Sequence, residues 1–408
     1  MGDEQAGLPL GIKITALDAE FRRDPYPILE RLRREAPTLN DTELVRRVFT
    51  RHDDVKSILR DKALLSDPRS AAEGSFTREY LGANLGPDEE PSMLLMDEPG
   101  HRRLRSLVSK PFTPGAVEKW RPRTREVVSR VLDALTGDEF DLIGDFAGPI
   151  PTIVIAEMLG IDPSLHADFK RWSDLMVQIS FNPFPSDEQT VAAEAAREQL
   201  HACFEDQIRY RSANLGDDLL SEMLRAEEEG ETLTHQEIVT QCDLLLVAGN
   251  VTTTARRGNG VLALLKHPDQ LARLRADPGL IENAVEEMLR YDSPVTNSGR
   301  IAHADTELAG CPVHKGESLS VSLAAANRDP AVYPEPDRFD IERQDTHHQA
   351  FGGGRHLCLG AHLARLEAQE AILGLLGRFP DLKLSARGFA HHAIPSFRGM
   401  SECWVTSR

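Results

Sequence analysis

With 408 residues, 40% of them hydrophobic and 27% charged, the chain has the composition of a folded globular protein with a sizeable core. Its 47 Lys and Arg against 65 Asp and Glu give a formal net charge of -18, which argues against nucleic acid as a partner, because phosphate binding needs a net basic face. No signal-peptide pattern stands at the start, and no apolar run reaches the roughly 18 residues that span a bilayer, so a cytoplasmic protein without a membrane segment is expected.

The elements read in chain order are mostly helices. The stretch "ELVRRVFT" (43–50) is strand-like, and "HRRLRSLVSK" (101–110) and "RPRTREVVSR" (121–130) read as helices with basic, solvated faces. "TPGAVEKW" offers Thr113 as N-cap with Pro114 at the first helical position, and Asp277 with Pro278 repeats the device. Thr234 with Glu237 forms a capping box that opens a helix meeting no proline until Pro268, about 50 Å long at about 1.5 Å per residue. Strand signals cluster from Val295 to Leu323, with short ones at 382–384 and 402–407. The fold class is mainly α with a minor β part. Prolines and glycines are scattered and no repeat or linker appears, so a single domain over 1–408 is expected, monomeric, with residues 1–20 loosely ordered.

Within the long helix, "LLLVAGNVTTTARR" (244–257) breaks its own pattern. A glycine costs a helix interior roughly 1 kcal/mol relative to alanine, and threonine hydroxyls compete for carbonyls one turn back. A helix weakened in its apolar middle makes room for something beside it. Arg256 and Arg257 are unexpected in so buried a helix and have no explanation in the sequence.

The five cysteines, at 203, 242, 311, 358 and 403, form no CxxC pair, zinc knuckle or iron–sulfur spacing. Cys358 differs from the rest. It follows a Phe-Gly-Gly-Gly loop and precedes Gly360 and a helical apolar pattern, and a helix N-terminus favours the thiolate. The whole string "FGGGRHLCLG" fits Phe-x-x-Gly-x-(Arg or His)-x-Cys-x-Gly, and on it the chain resembles the cytochrome P-450 family of haem-thiolate monooxygenases, most of all the soluble bacterial branch.

The resemblance runs from about Asp24 to the C-terminus. It implies a single-domain fold with haem b between the long central helix and the cysteine loop with its following helix. Cys358 becomes the iron ligand, Phe351 the ring beside its sulfur, Gly352 and Gly360 parts of the loop, and His356 a propionate partner. "MDEPGHRRLRSLVSKPFTP" matches a His-x-x-x-Arg segment that assigns His101 and Arg105 to the propionates, and Arg300 matches a further partner. "EEMLRYDSP" supplies the Glu-x-x-Arg pair Glu287 and Arg290, three apart and so on one helix face, which "YPEPDRFD" completes with Arg338.

The same resemblance places Ala248, Gly249, Asn250, Val251 and Thr252 over the distal haem face, with space for dioxygen beside Ala248 and Gly249 and a hydroxyl from Thr252. The family carries Asp or Glu where this chain has Val251, and valine delivers no proton; Asn250 can orient a water but is no acid at neutral pH. By family position the substrate pocket draws on the 66–95 loop, Met176, Phe181 and Phe184, Leu244 and Val247, Val295, Thr296 and Asn297, and Ile394 and Phe397. This largely apolar set suits a terpenoid, steroid, fatty acid or macrolide.

The implied activity inserts one oxygen atom from dioxygen into such a substrate. The chain has no dinucleotide fingerprint, P-loop or cysteine cluster, so electrons are expected from NAD(P)H through a ferredoxin reductase and a ferredoxin, the latter steered by Arg102, Arg103, Arg355 and Arg365. Missing acid at 251 leaves direct use of hydrogen peroxide as the alternative, with a haem-binding sensor or carrier more remote.

Overall fold

The computed structural model describes residues 7–82, 85, 91–180, 185–228 and 230–407. About 56% of the chain is helical, in line with the mainly α reading. The contacts divide it into two units: one made of the chain up to Asp97, Lys266–Cys358 and His391–Arg398, the other of Glu98–Leu265, Leu359–Ala390 and Gly399–Arg408. Because each unit is assembled from separated segments, no linker could be read from composition.

The first unit is organised by a four-stranded sheet in the order Thr38–Asp41, Arg46–Phe49, Ser318–Ser322, Asn297–Ile301. The outer pairings are antiparallel and the central one is parallel. Phe49, Leu319 and Val321 pack against Val55, Ile58 and Leu59 of the helix His52–Arg60. The strand Thr38–Asp41 carries no sequence signal of its own; its pairing with Arg46–Phe49 makes it. Residues 7–20 are better held than expected. Gly11 N–H donates to Asp41 Oδ1 at 2.9 Å, Gly11–Ile14 forms a 3₁₀ turn, and Leu8 and Ile14 are buried with Phe21 and Leu29.

The second unit is built around the helix His235–Lys266. Its start is the expected reciprocal box: Thr234 N–H donates to Glu237 Oε2 at 2.7 Å, and Glu237 N–H to Thr234 Oγ1 at 3.2 Å. Around this central helix lie His166–Ser180, Asp187–Ala213 and the helix that follows the cysteine, Ala361–Arg378. The terminal strand signals become Lys383–His391 and Met400–Thr406, which sheet with Glu139–Asp141. One expectation is corrected. Leu142–Leu159, 18 residues with mean hydropathy 1.5, is long and apolar enough to cross a membrane, although it holds Asp145 and Glu157. It is 72% buried within the protein, as befits a mostly apolar helical stretch of the core.

Candidate active site

The cysteine loop belongs to the first unit. Cys358 is exposed, whereas Cys242 and Cys403 are buried and Cys203 and Cys311 half-buried. The loop is closed by its own backbone: Gly352 N–H donates to Gln349 O at 2.8 Å, Leu357 N–H to Gly354 O at 3.2 Å, and Cys358 N–H to Phe351 O at 3.0 Å. Gly354 is needed twice over. Its φ is +66°, and a Cβ there would stand 2.2 Å from the Leu59 carbonyl oxygen. The Phe351 ring lies 5.8 Å from that of His348. Gly360 is the N-cap of Ala361–Arg378, so Cys358 sits just ahead of the positive end of an 18-residue helix.

Arg300 lies on the strand Asn297–Ile301 with 6% exposure. Its Nη1 donates to Gly299 O at 2.6 Å and Ser298 Oγ at 3.4 Å, and among the described residues no carboxylate pairs with it. Burial above all, and then Arg355, draws its pKa down to about 10, against the pull of Asp97. A guanidinium in that position can receive a carboxylate brought from outside the chain. His356 Nε2 stands 2.9 Å from Ser66 Oγ. Asp97 organises the same place by accepting the N–H groups of Ser66 and Asp67 at 2.8 and 3.1 Å. Ser66 carried no sequence signal.

In the same unit the turn and loop assigned to the pocket do meet. Val295 bridges Phe397, Thr296 N–H donates to Ser396 O at 2.9 Å, and Phe397 N–H to Ile394 O at 3.1 Å. Asn297 turns its amide onto Thr296 Oγ1 at 3.0 Å. Phe181, Phe184 and part of the 66–95 loop lie outside the described residues.

Glu287 and Arg290 are both fully buried and paired bidentately, Nε to Oε2 at 2.7 Å and Nη2 to Oε1 at 2.8 Å. Arg290 also donates to the carbonyls of Asn327, Pro336 and Arg338 at 2.9, 2.8 and 3.2 Å. The expected third member is corrected here. The Arg338 side chain is 52% exposed and turned to Glu335 and Asp340; it is Arg343, 11% exposed, whose Nε reaches Glu287 Oε2 at 3.2 Å.

The second unit carries the other candidates. His101 is buried on the helix Gly100–Val108, its Nδ1 3.9 Å from Glu98 Oε1, and Arg105 follows one turn on, half-buried. Of the cations proposed to steer a redox partner, Arg102 is 80% exposed, while Arg103 is engaged by Glu237 and by Thr232 O at 3.1 Å. Arg355 donates to the Lys62 carbonyl, and Arg365 is half-buried.

On the central helix, Leu244, Val247, Ala248, Val251 and Thr252 fall at spacings of three and four, and all are only half-buried, whereas the helix from Ala255 to Leu264 is buried throughout. A Cβ at Gly249 would meet nothing within 4 Å. Thr252 Oγ1 donates to Ala248 O at 2.8 Å, the back-bond that weakens a helix. Asn250 lies off that face and is buried, its Nδ2 donating to Ser173 Oγ at 2.8 Å. Met176 is buried on the same helix as Ser173.

The two unexplained arginines belong to the core. Arg257, 1% exposed in its side chain, pairs through Nη1 with Glu367 Oε2 at 2.9 Å and donates from Nη2 to Ala147 O at 2.8 Å, tying the central helix to the helix after the cysteine. Burial lowers its pKa and Glu367 opposes that shift. Arg256 is also buried, at 4% exposure. Glu367 lies too far along the chain for any local pattern to have paired it with Arg257.

Comparison with known proteins gives the family of the chain. The family described as Cytochrome P450 matches residues 158–278 and 279–385. Cytochrome P450 107B1 of Saccharopolyspora erythraea is 41% identical over 389 residues, 91% of this chain and 92% of that one. Cytochrome P450 monooxygenase PikC of Streptomyces venezuelae is 38% identical over 408 residues, covering 96% and 93%. The ligand-free crystal structure of CYP164A2 from Mycobacterium smegmatis superposes with a TM-score of 0.85 at 36% identity, over 96% of this chain and 98% of the other. The glycine-bound cysteine loop and the buried Glu287–Arg290 pair thus stand in a chain that aligns over most of its length with such enzymes, and it belongs to the cytochrome P450 family of oxidoreductases, whose haem is held by a cysteine thiolate.

Proposed function

We propose that the protein is a monooxygenase that inserts one oxygen atom from dioxygen into an apolar organic substrate, by hydroxylation or epoxidation, with electrons from NAD(P)H through a separate ferredoxin reductase and ferredoxin. The observation that carries this is Arg300. A buried guanidinium that, among the described residues, is bonded only to its own neighbours fits a cofactor carboxylate, and haem b brings two. Once bound, the haem supplies the redox and oxygen-activating chemistry. Cys358 is its thiolate ligand, and the bond from Cys358 N–H to Phe351 O fixes where that ligand stands. His101, Arg105, Arg300 and His356 neutralise the propionates. Leu244, Val247, Ala248 and Val251 present apolar surface that excludes water, and Thr252 holds a proton on Oγ1.

Cys358→Ser is expected to give a folded protein without the strongly red-shifted carbon monoxide band of a reduced thiolate haem and without turnover; a variant retaining both overturns the assignment. Val251 favours a second reading, direct use of peroxide, because no acid stands there. Turnover with ferredoxin and NADPH but not with peroxide alone rejects it. Under the first reading, proton supply beside Thr252 is slow, so Val251→Glu raises product formed per NADPH and Thr252→Ala lowers it. A tightly coupled wild type that gains nothing from the glutamate shows another proton route.

A further inference from the structure

The central helix bears three polar side chains at seven-residue intervals, Asp243, Asn250 and Arg257, which places them along one flank. Each is bonded to a different part of the second unit. Asp243 takes His201 of the helix Asp187–Ala213, Arg257 takes Ala147 O and Glu367, and Asn250 takes Ser173 of the helix His166–Ser180. This flank adjoins the half-buried face of Leu244, Val247, Ala248, Val251 and Thr252.

Asn250 sits in the middle of the weakened turn. Ala248, Gly249 and Val251 have no polar side-chain atom, and Thr252 spends its hydroxyl on Ala248. Asn250 is therefore the side chain through which this turn is hydrogen-bonded to another helix. Ser173 is fully buried, so the bond at 2.8 Å is made away from water. A weaker contact from Asn250 Nδ2 to Asp174 Oδ1, at 3.5 Å, adds to it, and Lys170 holds Asp174 at 2.6 Å. Met176 lies one turn beyond Ser173, on the same side of that helix.

We infer that Asn250 and Ser173 are a positioning pair: their hydrogen bond fixes the height and register of the helix His166–Ser180 over the central helix, and so sets how bulky a ligand the Val247–Thr252 face admits. The pair rests on the monooxygenase reading for its consequence, but not for its geometry. Alanine at 250 removes the donor and leaves the Ser173 hydroxyl buried without it, so the helix His166–Ser180 loosens while the turn itself gains helix propensity.

The test uses haem-loaded wild type, Asn250→Ala, Ser173→Ala, the double variant, and the swap of Asn250→Ser with Ser173→Asn. Amide hydrogen exchange is followed without ligand, and binding is measured by calorimetry with imidazole as the small probe and clotrimazole as the bulky one. In Asn250→Ala, exchange over Phe169–Met176 rises while that over Ile281–Tyr291 stays as in wild type. Affinity for imidazole holds, and the clotrimazole-to-imidazole affinity ratio rises about fivefold, the equivalent of one hydrogen bond. Ser173→Ala does the same, the double variant adds little, and the swap restores the wild-type ratio. Unchanged local exchange with an unchanged ratio overturns the pair; so does a rise in exchange spread over the whole protein. A wild type that shows no haem band fails the monooxygenase reading instead, and there the exchange over Phe169–Met176 still decides whether the pair positions the helix.

Discussion

Two buried arginine–glutamate pairs hold this protein, and they differ in what made them. Glu287 and Arg290 are three residues apart on one helix, with both side chains at 0% exposure; Arg257 and Glu367 are 110 residues apart on two helices, at 1% and 4%. In the first, the guanidinium is the centre of a chain reversal, since it also satisfies the carbonyls of Asn327, Pro336 and Arg338. In the second, it spans two packed helices and serves one further carbonyl, that of Ala147. A buried ion pair by itself is weak evidence for stability, because desolvation can cancel the attraction. The difference between these two lies in how many backbone groups depend on the arginine.

Removing Arg290 sharpens the comparison most. Arg290→Ala takes the bidentate partner from Glu287, leaving it Arg343 and the Asp340 N–H, and strands the Asn327 and Pro336 carbonyls, at a cost of about 3 to 5 kcal/mol for the broken pair before the carbonyls are counted. Poor yield and low haem content are expected, and normal values in both would show the carbonyl contacts to be dispensable. Arg257→Met should cost about 3 kcal/mol in chemical denaturation, because Glu367 is left buried without its cation. Adding Glu367→Leu should bring stability back to within about 1 kcal/mol of wild type, since two well-packed apolar side chains can replace an isolated pair. The corresponding double replacement of Glu287 and Arg290 should not recover. If it did, the two pairs would be equivalent and the contrast would fail.

The same contrast explains what could be read from the sequence. The capping box at Thr234 and Glu237, the Glu287–Arg290 spacing and the Phe351–Gly360 loop are all decided within a few residues, and each is found where its pattern put it. The weakened turn was legible too, because Thr252 and Gly249 break helix rules locally. Contacts between distant segments were not. Asn250 meets Ser173 across 77 positions, and the strand Thr38–Asp41 exists through its partner. Arg257 looked out of place only because the acid that balances it lies on another helix. The family pattern misled once, by naming the arginine inside the expected segment, Arg338, when chain geometry delivers Arg343 five residues later.

That substitution of one arginine for another gives the smallest expected effect and the cleanest check on the network. Arg343 is 11% exposed; its Nε contacts Glu287, Nη1 donates to Pro334 O at 2.8 Å, and Nη2 to Arg338 O at 2.9 Å. Arg343→Ala therefore removes charge-assisted bonds from a partly buried site and should cost about 1.5 to 3 kcal/mol in denaturant unfolding. Arg338→Ala removes a half-exposed side chain whose salt bridges are screened by water, and should fall within about 0.5 kcal/mol of wild type. The main-chain carbonyl of residue 338, which Arg290 and Arg343 both use, survives that change. Equal losses for the two variants would mean that Arg338 reaches Glu287 in solution after all. A larger loss for Arg338→Ala would return it to the place the family pattern assigns, and Arg343 would then be a bystander.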